Sequence, residues 1–275
     1  MNQNVLVIYK NAGETPLEAL GRMKNEHKEW ANLPITYAGR LDPMAEGLLL
    51  VLVGEECLKK DEYLALSKEY EVEVLFGFAT DTFDLLGKVT SSENEGEYIV
   101  QGSLAQAVEP SRANFQQKIM CADGNNISSE FSKIISGFTG KFRQAYPPYS
   151  SRTVNGKPLW EWAREGRLSE IEIPTHEVFV EKIEIKNAGS ISGKKLLHKI
   201  ETDIGKVKGD FRQEEILNEW RSLLKDREGD EFQTVTLIIN CGSGTYVRAI
   251  AHELGLALGT PALAMNIKRT KIGDF

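Results

Sequence analysis

TYAGRLDPMAEGLLLVLVG, residues 36–54, sets one acidic residue in a turn directly ahead of an unbroken apolar run. Leu48 to Val53 ends at Gly54, as a strand buried on both faces reads. Pro43 disfavours helical dihedrals at the residue before it, so Asp42 is expected to be extended. Gly39 and Gly47 allow close backbone approach on either side. A carboxylate fixed at the start of a core strand suits a nucleophile or base, as carboxylates act at sugar anomeric carbons. A turn aspartate accepting backbone hydrogen bonds fits the same spacing, and the spacing leaves both readings open.

Working outward, residues 5–9 form a β-rich run. Thr15-Pro16 then opens a helix whose Leu17, Leu20, Met23, His27 and Trp30 recur at helical spacing. Residues 55–66 read as helical, and Tyr70, Val72, Val74, Phe76 and Phe78 alternate as in a half-buried strand that stops in the turn TDTFD, 80–84. A short helix is expected at 131–138. Prolines 147 and 148 then force an extended segment, followed by a helix at 159–166, in which Trp160 reads as a core anchor. Strands are expected at 177–185 and 234–240, with one amphipathic helix between them at 211–224. After the Gly242-Ser243-Gly244 turn, Tyr246, Val247, Ile250, Leu254 and Leu258 form a helical stripe, and 262–272 is extended. The pattern predicts an α+β fold, with 91–126 and 186–230 as peripheral insertions.

The chain has 275 residues with 33 Lys+Arg against 40 Asp+Glu, a net charge of −7, which excludes a general cationic nucleic-acid coat. The charge is segregated. Residues 141–167 carry six basic and two acidic side chains, 6 − 2 = +4, interleaved with Tyr146, Tyr149, Trp160 and Trp162. Positive charge among aromatic faces suits RNA backbone and splayed bases. Lys268 and Arg269 are expected to extend a phosphate track. Cys57, Cys121 and Cys241 have no metal-like or CxxC spacing, so neither a disulfide framework nor a metal site is expected. The opening residues do not read as an export signal, and no apolar run approaches the ~20 residues of a membrane helix. A cytoplasmic location is expected.

GRLDPMAEGLLLVLVG resembles the catalytic motif of pseudouridine synthases, in which the single essential aspartate lies in an LD dipeptide before a core strand. LDP-x-A-x-G is similar to the TruB-type tRNA enzymes, whereas GRLD with EGLLL is closer to the RsuA-like and RluA-like rRNA enzymes. Four further stretches resemble TruB: KNAGET at 10–15, Lys68-Glu69-Tyr70 with TDTFD, QAYPPYSSRTVNGKPLWEWAREG at 144–166, and CGSGTYVRAIAHELGLALGTPALAMNIKRTKIGDF at 241–275. The resemblance implies a single pseudouridine synthase catalytic domain over 1–275, with a mixed, largely antiparallel sheet and flanking helices and loops forming an RNA-binding cleft. It implies neither a cofactor nor a C-terminal PUA domain.

By the same resemblance, Asp42 is the nucleophile, Tyr70 stacks on the target base and serves proton transfer, and Arg248 pairs with Asp42. Asp84 holds the flipped nucleotide, and Arg143, Arg152 and Lys157 belong to the RNA-contact stretch. Tyr37 stands where the family usually has His, and Arg40 where TruB has a small residue; both are candidate substrate contacts. The implied partner is the T-arm stem-loop of tRNA, bound by a monomer without an obligate protein partner. An rRNA-directed synthase, and an RNA-binding or RNA-folding protein that retains the pocket without turnover, are the alternatives.

Overall fold

Strands of alternating and unbroken apolar residues assemble one mixed sheet that carries helices on both faces. The computed structural model describes residues 4–30, 32–92, 119 and 128–275. In chain order the first elements are β1 (Val5–Lys10), α1 (Pro16–Glu26), β2 (Ile35–Ala38), β3 (Glu46–Val53), α2 (Lys60–Ala65) and β4 (Lys68–Phe76). A small hairpin follows, β5 (Phe78–Thr80) and β6 (Val89–Ser92). Next come α3 (Ser129–Ser136), β7 (Gly140–Ala145), the two-residue strands β8 (Thr153–Val154) and β9 (Lys157–Pro158), and α4 (Leu159–Arg164). The chain continues through β10 (Thr175–Ser192), α5 (Gly193–Ile204), α6 (Gln213–Leu224), β11 (Glu231–Cys241), α7 (Val247–Leu258) and β12 (Ala262–Ile272).

The main sheet runs β1-β3-β12-β4-β11-β10-β7, with β2 also paired to β3. Its ladders are antiparallel apart from the short β12–β3 contact, Lys268↔Glu46 and Arg269↔Gly47. The mixed, largely antiparallel expectation holds. The first helix starts where its sequence says: the Thr15 hydroxyl accepts from the Glu18 N–H, the Glu18 carboxylate accepts from the Thr15 N–H, and Pro16 occupies the first turn. Leu20 and Met23 are buried as expected, but Leu17 is exposed.

Period-two alternation splits the core in two. Val72, Val74 and Phe76 of β4 pack with Ile250, Leu254 and Leu258 of α7 and Phe131 of α3. Leu75, Leu263 and Met265 face the other way, onto Leu196, Ile200 and Ile204 of α5 and Ile216, Trp220 and Leu224 of α6. This second layer corrects the sequence reading of 186–230. The region holds two helices rather than one, β10 runs on to Ser192, and the segment covers a sheet face instead of lying at the periphery. The apolar stripe of α5 recurs every four residues, but Lys and Glu crowd it in sequence and hide it. Of 91–126, only Ser91, Ser92 and Ile119 fall among the described residues. Among those, no helix is long and apolar enough to cross a membrane.

Candidate active site

Asp42 lies in the loop between β2 and β3, at the end of the sheet where β12 meets β3 in parallel. Gly39 and Gly47 have φ of +81° and +112°. A Cβ on Gly47 would lie 2.2 Å from the Arg269 carbonyl oxygen, so only glycine permits that approach. The loop is nailed down from inside. Lys10, fully buried, donates from Nζ to the carbonyls of Asn11, Pro43 and Ala45, and the Gly13 N–H donates to Pro43 at 2.8 Å. Burial pushes the Lys10 ammonium down to about 8, partly opposed by the charges of Glu14 and Asp42. Leu41 and Ala45 anchor the loop in the core, while the Asp42 side chain stays 33% exposed.

Arg248, in the first turn of α7, meets that carboxylate from below. Its Nε donates to Asp42 Oδ2 at 2.9 Å, Nη1 to the Thr82 carbonyl at 2.6 Å and Nη2 to the Tyr149 carbonyl at 2.9 Å. One side chain, 3% exposed, thus joins the Asp42 loop, the TDTFD turn and the proline-rich segment. The structure places Arg248 underneath the carboxylate, where only a buried guanidinium presents donors in three directions. Gln144 fixes the start of α7 by bridging both backbone groups of Tyr246.

Asp84 also faces Arg248. Its Oδ1 accepts from Thr82 Oγ1 at 2.7 Å and the Leu86 N–H at 2.9 Å. Burial pushes its carboxyl up from 3.8 to about 6, against the pull of Arg248 and the Thr82 hydrogen bond. The folded protein therefore holds this proton more tightly than the unfolded chain. Stability from this group is full below about pH 4 and is lost as pH rises through 6. Urea unfolding from pH 4 to 7 is expected to show Asp84→Asn gaining on the parent across this window, by up to about 3 kcal/mol. A difference that does not change with pH refutes the shift.

Tyr70 on β4 is 9% exposed, and burial raises its phenol, with the Arg269 guanidinium beside it acting in the other direction. It stays neutral near pH 7, fit for stacking and hydrogen bonding. Arg269 itself corrects the sequence reading. It is 1% exposed and donates to the Leu48 carbonyl at 2.7 Å and the Gly39 carbonyl at 3.0 Å, so it braces the Asp42 loop and belongs to no exposed phosphate track. Lys268, its neighbour on β12, points to the outside.

Arg40 is exposed on the Asp42 loop. Tyr37 instead packs onto Leu20, Met23, Val51 and Val53, with the Lys60 ammonium 5.6 Å over its ring. Arg152 lies over Tyr146, which stacks on His176 at 4.1 Å, and Arg143 donates to Thr175. Lys157 pairs with Glu165 and, with Arg167, sandwiches Trp162 at 4.7 and 5.1 Å. Trp160, expected in the core, is 41% exposed. The +4 stretch is thus partly neutralised by ion pairs: Lys141 with Glu177, Arg164 with Asp210, and Arg167 with Glu170. The role of Lys10 went unread, although its motif had been noted, because nothing in KNAGET says that the lysine is buried. Arg212 was missed altogether; it chelates Asp81 of the TDTFD turn.

An aspartate thus stands on a glycine-flanked loop, gripped by a buried arginine at the end of a mixed sheet. The family model for TruB family pseudouridylate synthases (N-terminal domain) matches residues 29–122 and 97–211, and the chain belongs to that family. It is 28% identical over 271 residues to the tRNA pseudouridine synthase B of Ligilactobacillus salivarius strain UCC118, covering 98% of this chain and 68% of that protein. The enzyme of the same name from Borrelia garinii subsp. bavariensis is 27% identical over 275 residues, covering 100% and 71%. That of Staphylococcus aureus strain bovine RF122 is 26% identical, covering 100% and 68%. Among solved structures, a chain of a Cbf5-Nop10-Gar1 complex shares the fold, with TM-score 0.52 and 16% identity. The match covers 99% of this chain and about half, 49%, of the solved one.

Proposed function

We propose that this protein is a tRNA pseudouridine-55 synthase that isomerises the T-loop uridine with Asp42 as nucleophile. The observation that carries this reading is the Asp42–Arg248 pair: a carboxylate one-third exposed, whose partner arginine is buried and also bound to two loop carbonyls. A buried, hydrogen-bonded guanidinium at this distance aims the carboxylate. The relatives named tRNA pseudouridine synthase B support tRNA as the substrate.

In this mechanism the T-arm docks and the uridine swings out of its stack, at a cost of a few kcal/mol, to lie against Tyr70. Asp42 attacks the nucleotide at C1′ or C6, the N1–C1′ bond breaks, the uracil turns, C5 bonds to C1′, and the bond to Asp42 breaks to return the free carboxylate. The C5 proton is lost and N1 gains one, so the reaction is a net isomerisation. Arg40, Arg143, Arg152, Lys157 and Lys268 are the proposed backbone contacts and Asp84 a nucleotide contact, with Tyr37 at the margin.

Unmodified tRNA incubated with the wild-type protein and with Asp42→Asn, then mapped for pseudouridine at single-nucleotide resolution, tests the proposal. Modification at the T-loop by wild type alone is the expected result. Equal binding by both proteins with modification by neither, or reaction only on an rRNA fragment, overturns it.

A further inference from the structure

The loop between α5 and α6, residues 205–212, belongs to the segment that the sequence reads as peripheral, yet it ends on the active site. Arg212 sits at the N-cap of α6 in the left-handed region, φ +63°, and its side chain makes no capping bond. Such a conformation in a non-glycine residue is held by its surroundings. Here the surroundings are Asp81 and Tyr149. Nη1 of Arg212 donates to Asp81 Oδ2 at 2.7 Å and Nη2 to Oδ1 at 3.2 Å, and the guanidinium carbon lies 4.5 Å from the Tyr149 ring centroid. Burial, and after it the charge of the same Asp81, push the Tyr149 phenol up. The Arg212 side chain is only 14% exposed.

These two contacts converge on one consequence. Arg248 owes its orientation to the carbonyls of Thr82 and Tyr149. Arg212 grips the residue before the first of these and the ring of the second. The same loop touches the Asp42 loop from its other end: a Cβ on Gly13 would lie 2.5 Å from Lys206 Cβ, and the Gly13 N–H holds the Pro43 carbonyl. We infer that Arg212 is a positioning residue for the Arg248–Asp42 pair, and that the α5–α6 segment is a working wall of the active site. This rests on the reading of Asp42 as the nucleophile of an RNA isomerase. Arg212 touches neither reacting atom; it acts through Asp81 and Tyr149.

The test compares wild type, Arg212→Met, Arg212→Lys and Asp81→Asn in single-turnover assays on T-arm RNA. Arg221→Ala, which breaks the exposed Arg221–Glu201 pair on the same two helices, serves as the control. Arg212→Met is expected to lose at least about tenfold in rate with RNA affinity within about threefold, since misplacing a reacting group costs rate more than binding. The lysine variant should recover part of the rate. The Arg212→Met/Asp81→Asn double variant should be no slower than the slower single, because both remove one contact.

The second readout is hydrogen exchange at Arg248 Nε–H, followed by NMR without RNA; protection is expected to fall at least tenfold in Arg212→Met and to stay at the wild-type level in Arg221→Ala. Unchanged protection in Arg212→Met, or a defect confined to RNA affinity, overturns the inference. A wild-type protein that modifies no T-arm refutes the proposed function instead, and the exchange measurement still decides the role of Arg212.

Discussion

Replacing Arg248 by methionine is expected to lower single-turnover pseudouridine formation by about a hundredfold or more, the scale set by a misplacement of about 1 Å at a reacting group. The side chain holds Asp42 Oδ2 and two carbonyls from separate loops at 2.6–2.9 Å, and methionine donates to none of them. The loss should fall on the rate rather than on RNA affinity, since the guanidinium is buried beneath the carboxylate, out of reach of a phosphate on the surface. Lysine is expected to restore little. Its single ammonium cannot donate along three diverging directions from the end of a flexible chain. Stability should fall too, by on the order of 1–3 kcal/mol for each carbonyl left buried without a donor. Rates of wild type, Arg248→Met and Arg248→Lys, with urea unfolding of all three, check this. An Arg248→Lys enzyme within threefold of wild type would sink the geometric argument.

Trp220→Ala is expected to cost about 3–5 kcal/mol, the range for removing a large aromatic from a core. Trp220 is fully buried on α6 and meets Phe78 edge-on at 4.9 Å, beneath Leu196, Ile200 and Ile204 of α5. In a domain of this size that loss lowers Tm by roughly 10 °C. The effect separates two views of the 186–230 segment. If the two helices were an appendage, the rest of the fold would melt where it did before. Because they share their core with Leu75, Leu263 and Met265 of the central strands, one cooperative transition should move as a whole. Thermal unfolding followed by tryptophan fluorescence and far-ultraviolet circular dichroism distinguishes these outcomes: two separated transitions would contradict a shared core.

Much of this was legible in the amino-acid sequence. Strict alternation from Tyr70, the unbroken run from Leu48 to Val53 and the stripe from Val247 to Leu258 are local periodicities that produced the elements they predict, except that β4 ends at Phe76 and Phe78 opens β5. The turn that carries Asp42 was legible too, since Gly39, Pro43 and Gly47 restrict its backbone locally, although distant Lys10 and Arg269 hold it in place. Local pattern also has a limit, visible at α5, whose four-residue stripe was hidden by charge, and at Trp160, whose aromatic character suggested burial that the fold does not provide.

What the tertiary structure alone decided is which charges are buried and what they hold. Lys10, Arg248 and Arg269 look in sequence like any basic residues, and the sequence reads Arg269 as part of a phosphate track. Each is instead buried and spent on backbone carbonyls or on Asp42. Apart from Asn11 beside Lys10, their partners lie 33 to 230 positions away, a pairing that no window of sequence contains. Nor does the sequence say that Arg212, 131 residues from Asp81, closes the same site. The sequence by itself determined the core strands, the helix that carries Arg248 and the glycines and proline of the Asp42 turn, because those follow from short-range sterics and periodicity. The surrounding network waited on the fold, because the desolvation and directed hydrogen bonds that give a charge its role exist only once distant segments have met.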